Sequence, residues 1–458
     1  MAIAIVIVVL VIITVLFHFF SPWWFTPIAS NWSSIDDTIN ITLWITGIVF
    51  ILVNLFLAYA VYRFRYNKDR RADYEPENKK LETWLTVITS IGVIAMLAPG
   101  LVVWADFVHP PDNADEFEVV GQQWSWSYRF PGKDGILGQV DTLLISASNP
   151  FGLKTSDPNG QDDVLVNSNE LHLTIDRPVK VLQRSKDVLH NFAIPQFRVK
   201  MDLVPGLTSY FWFTPIKLGQ FDILCQELCG VAHYLMRGTV IIETEQEFAL
   251  WLATFPTFSE SQNIPTIDIA KGEQLYQGCV ACHGQNAMGN EQLNAPKLAG
   301  LSSWYIQRQL HYFKSHIRGE SSEDTFGQQM SAMMVTLPDK QAIVQVASYI
   351  SSLENSQSKH VPSSIDSINI DNGRALYNNC SYCHGRNGEG NYSLNAPKLN
   401  GQHAWYLKRQ LVNFQQGVRG SHNKDLYGKQ MMLMAKLLQD QQAVDDIVAY
   451  IGAMPAQF

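Results

Sequence analysis

Charged residues are scarce in this 458-residue sequence, and the scarcity is local. Asp, Glu, Lys and Arg make up 17% of the chain, against about 25% in an average soluble protein. The deficit falls in three apolar stretches, residues 2–20, 41–62 and 84–105. Each stretch is close to the ~20 residues that a helix needs to cross the bilayer core. A wholly soluble protein is therefore not expected, and three transmembrane helices in a lipid bilayer are predicted within residues 1–105.

Lysine and arginine are absent before Ile41, whereas seven of them lie in the loop 63–81. Basic loops stay on the cytoplasmic side of a membrane. This pattern places everything after residue 105 on the outer, periplasmic side of a bacterial-type inner membrane. The first stretch also lacks a basic leader region and a small-residue cleavage site, so it is interpreted as a retained helix. A cleaved leader is the alternative.

No part of the chain is strongly basic. The net charge of −8 divides into 0 for residues 1–105, −9 for 106–266, −2 for 267–358 and +3 for 359–458. An acidic middle and a weakly basic end argue against a nucleic acid partner. They suggest instead that the end of the chain is attracted to its middle.

Short β-type runs follow the apolar stretches, in a region that extends to residue 255. Runs such as FEVVG, LHLTI and RGTVIIET alternate with turn residues, which predicts a β-sandwich or barrel. The Gly-, Asp- and Asn-rich piece 132–163 is predicted to be a surface insertion. Two polar segments with Ser and Pro, 256–266 and 355–367, are predicted to be linkers.

The two regions that follow these linkers repeat one another. Residues 267–354 and 368–458 align at a constant offset of 101, as from Gly272 to Gly373. Runs such as WYIQRQLHYFKSHI and DKQAIVQVASYISSL have the period of an amphipathic helix. Each repeat is therefore predicted to be a small α-helical domain, and the pair to be a tandem duplication.

Cysteine is also rare, with six residues in the chain, and four of these lie in the repeats. They form two C-x-x-C-H motifs: Cys279, Cys282 and His283, and Cys380, Cys383 and His384. This motif attaches a haem covalently through both thiols, with the histidine on the iron. We predict that the thiols lie on the first turn of a helix. A dithiol redox pair and half of a zinc site are the alternatives, and recurrence of the motif at equivalent positions argues against both.

An electron-transfer haem needs a second axial ligand, and methionine raises its potential. Met330 and Met431 each stand 47 residues after the histidine of their repeat. Met333 and Met434 keep the repeat spacing as well and remain the alternatives. The proline carbonyl of the shared NAPKL sequence is predicted to accept a hydrogen bond from each haem histidine.

The other two cysteines lie in the stretch CQELCGVAHYLM. Cys225 and Cys229 are followed there by His233 and Met236. Two thiolates, an imidazole and a thioether form a ligand set for copper. A disulfide within so short a loop would constrain little chain, and it would leave the histidine and the methionine unexplained.

An upstream histidine would complete a two-metal site. His190 stands at the end of a strand-like run and is predicted to be that ligand, together with the backbone carbonyl of Glu227. Two bridging thiolates then predict a dinuclear copper centre. A zinc site is the alternative.

These motifs together resemble subunit II of cytochrome c oxidase, in the form fused to two class I cytochrome c domains. The family pattern C-x-E-x-C-x3-H-x2-M is met in full by residues 225–236. The resemblance covers nearly the whole chain. It implies a multidomain membrane protein with N-terminal transmembrane helices, a cupredoxin-like β-sandwich at 106–255 and two all-α class I cytochrome c domains at 267–354 and 368–458. The sequence departs from the usual pattern by its third apolar stretch and its second haem domain.

The resemblance implies a binuclear copper-A centre that passes electrons to a separate subunit I, where oxygen is reduced. Subunit III and an external donor such as a cytochrome c are further implied partners. Trp124 is implied as the residue through which electrons reach the copper, and Glu82 as the mouth of a proton path. Glu227 is implied as a ligand of a magnesium ion shared with subunit I, although the chain holds no complete set of oxygen ligands for that ion.

The charges suggest an order for the electron route. Electrons are expected to pass from the second-repeat haem to the first-repeat haem and then to the copper, since the net charge runs from +3 through −2 to −9 along this path. A copper-A subunit of a nitric oxide reductase is an alternative function. A free electron carrier or copper-delivery module is another, and the three apolar stretches argue against it.

Overall fold

The structure of the chain, a computed structural model, describes residues 1–21, 26–71, 77–146, 149–262, 267–353, 368–392 and 394–455. The predicted linker 355–367 lies outside the described residues, as do the last four residues of the predicted linker 256–266. The described residues form apolar helices, a β-sandwich and two helical domains, in that order. This is the predicted fold class.

Three long helices begin the chain: α1 (Ala2–Phe20), α2 (Ser33–Arg63) and α3 (Lys79–Val108). Each is long and apolar enough to cross a membrane, by length and composition. The helices α2 and α3 extend beyond the apolar stretches 41–62 and 84–105, mainly through polar residues at their N-terminal ends. The Asn78 side chain caps α3 by accepting a hydrogen bond from the Leu81 N–H, which satisfies one of its free amide groups.

Hydrogen bonds attach α2 and α3 to the β-sandwich. The Arg198 guanidinium donates to the Asp36 carboxylate of α2, with an Nε–Oδ1 distance of 2.7 Å. The indole of Trp212 donates to the backbone carbonyl of Asp106 in α3 at 2.9 Å. These contacts hold the β-domain against one end of the helices.

The β-domain consists of two five-stranded sheets, in the orders β3-β2-β1-β5-β8 and β4-β10-β9-β6-β7. Its strands are β1 (Asp115–Gln122), β2 (Ser125–Phe130), β3 (Val164–Val166), β4 (Glu170–Thr174), β5 (Val179–Ser185), β6 (His190–Ile194), β7 (Val199–Leu203), β8 (Ser209–Phe213), β9 (Gly219–Cys225) and β10 (Arg237–Glu243). Aromatic side chains such as Trp126, Phe192 and Phe211 are fully buried between the sheets. The helices α4 (Glu245–Leu252) and α5 (Phe258–Gln262) follow.

Two predictions about this domain need correction. The piece 132–163 is not simply a surface insertion, because Phe151 and Leu153 are buried in a small second core. Phe258, from the beginning of the predicted linker 256–266, is buried in the same cluster. Apolar burial thus makes both segments part of the β-domain.

A buried ionic network crosses the first sheet. The Glu118 carboxylate of β1 is 2% exposed and accepts hydrogen bonds from Arg129 Nε at 2.8 Å and from Arg184 Nε. Arg129 also pairs with Asp163, at the end of the piece 132–163. Since an unpaired buried charge is very costly, the members of this network depend on one another.

Both repeats fold as helical domains. The first contains α6 (Ile269–Tyr276), α7 (Val280–His283), α8 (Ser303–Lys314), α9 (Thr325–Met333) and α10 (Lys340–Ser352), and the second contains α11 (Ile370–His384), α12 (Ala404–Gln415), α13 (Leu426–Ala435) and α14 (Gln441–Gly452). In each, the last helix packs across the first. Gly272 and Gly373 lie at these crossings, where a Cβ atom would collide with the carbonyl of Gln345 or of Asp446. Only glycine permits so close an approach.

The two repeats contact each other through a reciprocal interface. Three side-chain hydrogen bonds from the first repeat to the second have a counterpart in the opposite direction, at positions 101 residues apart. The pairs are Arg308 to Asn395 and Arg409 to Asn294, Arg318 to Gln410 and Arg419 to Gln309, and Arg318 to Tyr406 and Arg419 to Tyr305. The repeats are thus joined about a pseudo-two-fold axis.

Candidate metal and haem centres

The stretch 225–236 forms a buried sulfur cluster at the end of β9. The Sγ atoms of Cys225 and Cys229 are 3.7 Å apart, too far for a disulfide bond. From Cys229 Sγ it is 3.4 Å to His233 Nδ1 and 3.8 Å to Met236 Sδ. The carbonyl oxygen of Glu227 lies 3.2 Å from Cys225 Sγ. The structure therefore brings together all five residues that the sequence nominated in this loop.

His190 reaches the same cluster from the start of β6, which pairs with β9. Its ligand atom and the sulfurs of Cys225 and Cys229 all lie within 4.8 Å of one another. The other ring nitrogen, Nε2, donates to Asp187 Oδ1 at 2.8 Å. Among the described residues, His190 Nδ1 is a buried nitrogen with no hydrogen-bond partner. A metal ion beside the two sulfurs would satisfy this nitrogen, so the residues present fit a metal site.

Asp187 is a member of the site that the sequence reasoning missed. It fixes the tautomer of His190, because a carboxylate can only accept and Nε2 must then carry the proton. The same carboxylate accepts from the Gln123 N–H at 2.7 Å. The signal was present in the sequence as an acidic residue three positions before the histidine, in DVLH.

The two cysteines share a proton. The hydrogen bond with Cys229 lowers the pKa of Cys225 to about 3, and the same contact raises the pKa of Cys229. One thiolate and one thiol therefore face each other. Metal ions bind thiolates and displace the remaining proton, so this pair is prepared for a cation.

Trp124 lies directly over the cysteine loop, in the turn between β1 and β2. Its indole is 2% exposed, and its Nε1 donates to the Cys229 carbonyl at 3.2 Å. The Gln123 side chain donates to the same carbonyl at 2.7 Å. The loop and the indole are thereby fixed against each other, as the predicted electron-transfer role of Trp124 requires.

The remaining implied positions are less enclosed. Glu82 is exposed in the first turn of α3, where an acidic side chain also favours the helix dipole. The Glu227 side chain is half-buried. Among the described residues, the one group of three metal-binding side chains is His190, Cys225 and Cys229, which leaves magnesium at Glu227 a prediction.

Both C-x-x-C-H motifs line one cavity between the repeats. The Nδ1 atom of His283 donates to the Pro296 carbonyl at 2.9 Å, and that of His384 to the Pro397 carbonyl at 2.7 Å. These bonds confirm the predicted role of the NAPKL proline, and they leave each Nε2 free. Burial lowers the pKa of both histidines, so each presents a neutral imidazole, the form that ligates iron. The cavity and its donors fit two covalently bound haems.

The prediction that the thiols lie on the first turn of a helix holds for the first repeat and was wrong for the second. Cys380 and Cys383 lie in the last turns of α11, which ends at His384. Cys279 precedes the single turn α7, which ends at His283. Gly284 and Gly385 follow with φ of 76° and 80°, and this left-handed conformation favours glycine and ends the helix. Each motif therefore ends a helix at its histidine, and in the first repeat it also begins that helix.

The candidate axial methionines Met330 and Met431 line the shared cavity, and so do their competitors Met333 and Met434. Met330 packs against the core of its repeat, whereas Met333 is 41% exposed. Met434 packs against the core of the β-domain. These positions favour Met330 and Met431 as the axial ligands over their competitors.

Replacement of Met330 by leucine is therefore expected to leave one iron without its sixth ligand. The purified chain with reduced haems should then bind carbon monoxide at about one of its two haems, while the wild type binds little. Met333→Leu is the matched control and should behave as wild type. Carbon monoxide binding to Met333→Leu but not to Met330→Leu would reverse the assignment.

Hydrogen bonds among the described residues join the second repeat to the β-domain at Trp124 and at Asn167. Gln430 Nε2 donates to the Trp124 carbonyl at 2.9 Å, and Asn167 Nδ2 donates to Tyr427 Oη at 3.1 Å. Cys383 and Met434 pack against the β-domain core. From the sequence, the first repeat was expected to lie next to the copper site. In the structure the second repeat occupies that position.

Comparison with known proteins places these parts in families. The family model described as cytochrome c oxidase subunit II, periplasmic domain, matches residues 116–244. The family model described as cytochrome c matches residues 269–354 and 370–455.

Individual relatives agree. The chain is 59% identical to an alternative cytochrome c oxidase subunit 2 of Bradyrhizobium diazoefficiens, over 57% of this chain and 94% of that protein. It is 27% identical to cytochrome c oxidase subunit 2 of Cereibacter sphaeroides, over 50% of this chain and 77% of that protein. A reduced recombinant cytochrome c4 from Pseudomonas stutzeri is 26% identical over 42% of this chain and 100% of that chain, with a TM-score of 0.34. The chain therefore belongs to the cytochrome c oxidase subunit II family, with two cytochrome c domains after its periplasmic domain.

Proposed function

We propose that this chain is the electron-transfer subunit of a cytochrome c oxidase. In this role it takes electrons from an external donor, such as a cytochrome c, and delivers them to an oxygen-reducing subunit I. The observation that carries the proposal is the buried cluster of Cys225, Cys229 and His190, with Trp124 fixed over its loop. Nitric oxide reduction, the alternative, has no support from the oxidase subunits to which the chain is similar.

The residues of the cluster would hold two copper ions. A pair of copper ions at this site would supply a one-electron centre. Cys225 and Cys229 would hold it through their thiolates, and His190, His233, Met236 and the Glu227 carbonyl would supply the remaining ligands. Asp187 orients His190 by holding its Nε2 proton. Burial of the two sulfurs excludes water from the site.

The repeats would hold one haem c each. Covalently attached haem supplies a one-electron iron centre. Cys279, Cys282, His283 and Met330 would hold the first haem, and Cys380, Cys383, His384 and Met431 would hold the second. The proline carbonyls fix the histidine rings, and the reciprocal arginines hold the two domains face to face.

The membrane-proximal part would join the oxidase complex. We place α1 to α3 across a bacterial inner membrane beside subunit I, with subunit III as a further partner and the loop 63–81 on the cytoplasmic side. Trypsin added to intact spheroplasts should then cleave the haem domains and spare this loop. Cleavage of the loop would show that it lies on the outer side of the membrane, which would contradict the proposed orientation.

Two carboxylates are proposed to serve proton and magnesium sites shared with subunit I. Glu82, exposed on α3, would collect protons on the cytoplasmic side for a proton-translocating enzyme. Glu227 would direct its side chain to a shared magnesium ion. Glu82→Gln should slow proton uptake by the assembled oxidase, and Glu227→Gln should lower its magnesium content. An unchanged value in either assay removes that role.

Metal and haem analysis of the purified full chain tests the proposal. The chain is matured with haem c, reconstituted with copper in detergent, and its electron paramagnetic resonance spectrum is recorded in the oxidised state. Two haems, two coppers and a signal from one electron shared by both coppers are expected. A chain that carries two haems with one copper, or with zinc, would contradict the subunit II function at its centre.

A further inference from the structure

One face of the haem repeat has a different environment in each of its two copies. In the first repeat this face is formed by Cys282, Phe326, Gln329 and Met333, and all four are exposed. In the second repeat the equivalent residues are Cys383, Tyr427, Gln430 and Met434, and all four are half-buried. We call this surface the open face in the first repeat and the docked face in the second.

The docked face is covered by the electron-accepting end of the β-domain. Gln430 donates to the carbonyl of Trp124, the residue whose indole contacts the Cys229 carbonyl. Tyr427 contacts Asn167, while Cys383 and Met434 pack against the apolar core that contains the sulfur cluster.

The open face of the first repeat could form the same type of contact that the docked face of the second repeat makes with the β-domain. The contact is an apolar centre with a hydrogen bond from a glutamine to a backbone carbonyl at its rim, the usual anatomy of a protein interface. The open face offers the same centre and an equivalent glutamine, and Met333 and Phe326 are 41% and 38% exposed. The Arg409 guanidinium of the second repeat lies over the Phe326 ring, 4.5 Å from its centroid, and all four residues of the open face remain exposed.

We propose that the docked face is the fixed internal donor surface for the copper site, and that the open face receives the external electron donor. This rests on the proposed function. The external partner is a redox protein that presents an apolar patch with an accessible carbonyl over its own redox centre, as the β-domain does at Trp124. Electrons then enter at the first repeat, pass to the second, and leave through the docked face. Each final transfer is a one-electron oxidation of the second-repeat iron, balanced by a one-electron reduction of the copper pair.

The duplication supplies a matched pair of variants. Gln430→Glu replaces the donor to the Trp124 carbonyl with a carboxylate oxygen, which repels that carbonyl, and Gln329→Glu makes the same change on the open face. Both changes keep the size of the side chain. Copper and haem contents are measured first, because a wild-type chain that fails to load them would contradict the proposed function and not this inference.

Hydroxyl-radical footprinting of the full chain reports on docking without turnover. Met434 should be labelled more slowly than Met333 in the wild type. In Gln430→Glu the labelling of Met434 should rise several-fold. Loss of such a hydrogen bond favours the undocked state of the second repeat on the order of tenfold. Gln329→Glu should leave Met434 unchanged. Equal labelling of the two methionines in the wild type would overturn the docked face.

Measurements of electron-transfer rates distinguish the role of the docked face from that of the open face. After flash reduction of the haems by a small photoreductant, arrival of the electron at copper should be slowed in Gln430→Glu and unchanged in Gln329→Glu. With a soluble one-haem cytochrome c as external donor, the second-order rate of haem reduction should change in Gln329→Glu and not in Gln430→Glu. The opposite pattern in either assay would overturn the proposed order, and a rate unaffected by Gln329→Glu would overturn the open face as the receiving surface.

Discussion

Replacing Cys225 with serine is expected to abolish the dinuclear copper centre. Cys225 shares a proton with Cys229 across 3.7 Å and lies beside the free nitrogen of His190. Serine cannot supply a thiolate bridge, so the second ion loses its soft ligand. Copper should fall from two ions per chain to one or none, and the signal of the shared electron should disappear from the paramagnetic resonance spectrum. Both haems should remain, because their cysteines lie in other domains.

His172→Asn provides the control for a histidine in the same domain. His172 contacts the Glu243 carboxylate at 2.8 Å and stacks on Trp251, and it lies outside the group formed by His190 and the two cysteines. Its loss should leave both copper ions in place. Retention of two coppers by the Cys225→Ser chain would show that the sulfur cluster is not the copper site.

Glu118→Gln is expected to be the most destabilising change in the β-domain outside the sulfur cluster. The carboxylate is buried between Arg129 and Arg184, and its neutralisation leaves two buried guanidinium groups undercompensated. Breaking a buried ion network in this way costs about 3–5 kcal/mol. Denaturant unfolding of the copper-free chain, followed by tryptophan fluorescence, should show this loss in the transition of the β-domain.

Glu116→Gln is the matched control, two residues earlier on the same strand. Its carboxylate is partly exposed and pairs with Lys180 at 2.7 Å. Such a pair contributes roughly 0–1 kcal/mol, so the control should unfold nearly as the wild type does. Equal losses in the two variants would mean that the buried network does not stabilise the domain.

The same network predicts how stability depends on pH. Burial opposes ionisation of Glu118, but Arg129 and Arg184 outweigh it and lower the pKa of Glu118 below its usual value of 4.5. A carboxyl group with a lowered folded-state pKa stabilises the fold above its unfolded pKa, and this contribution is lost as the pH falls through the folded-state value. The contribution of Glu118 to stability should therefore be lost below about pH 4.5, so Glu118→Gln should lose less stability than the wild type over that range.

The chemistry of the sites could be predicted from the sequence because their ligands are close together in the chain. Cys225 and Met236 are eleven positions apart, and each haem motif spans five residues. His190 was predicted at the end of a strand-like run, whereas it is the first residue of β6. Asp187 was missed because its partner is one ring nitrogen, whose direction depends on the fold.

The arrangement of the domains could not be predicted in the same way. Apolar residues of the piece 132–163, such as Phe151, are separated by turn residues, and their shared core with Phe258 is visible only in three dimensions. The docking of the second repeat depends on Gln430 and Tyr427, which are neutral. The net positive charge of the second repeat did indicate that it is attracted to the acidic β-domain. The expected order nevertheless placed the first repeat between the second repeat and the β-domain.

The reciprocal hydrogen bonds between the haem repeats suggest how a two-repeat chain could arise from a single haem domain. A surface on which Arg318 contacts Gln410 while Arg419 contacts Gln309 is complementary to itself, so two separate copies of one repeat would pair through it. Such a pair would dissociate on dilution. Duplication within one chain removes that dependence, because both halves are made together and stay in equal number. The two haem repeats thus correspond to a dimer whose subunits are joined in a single polypeptide.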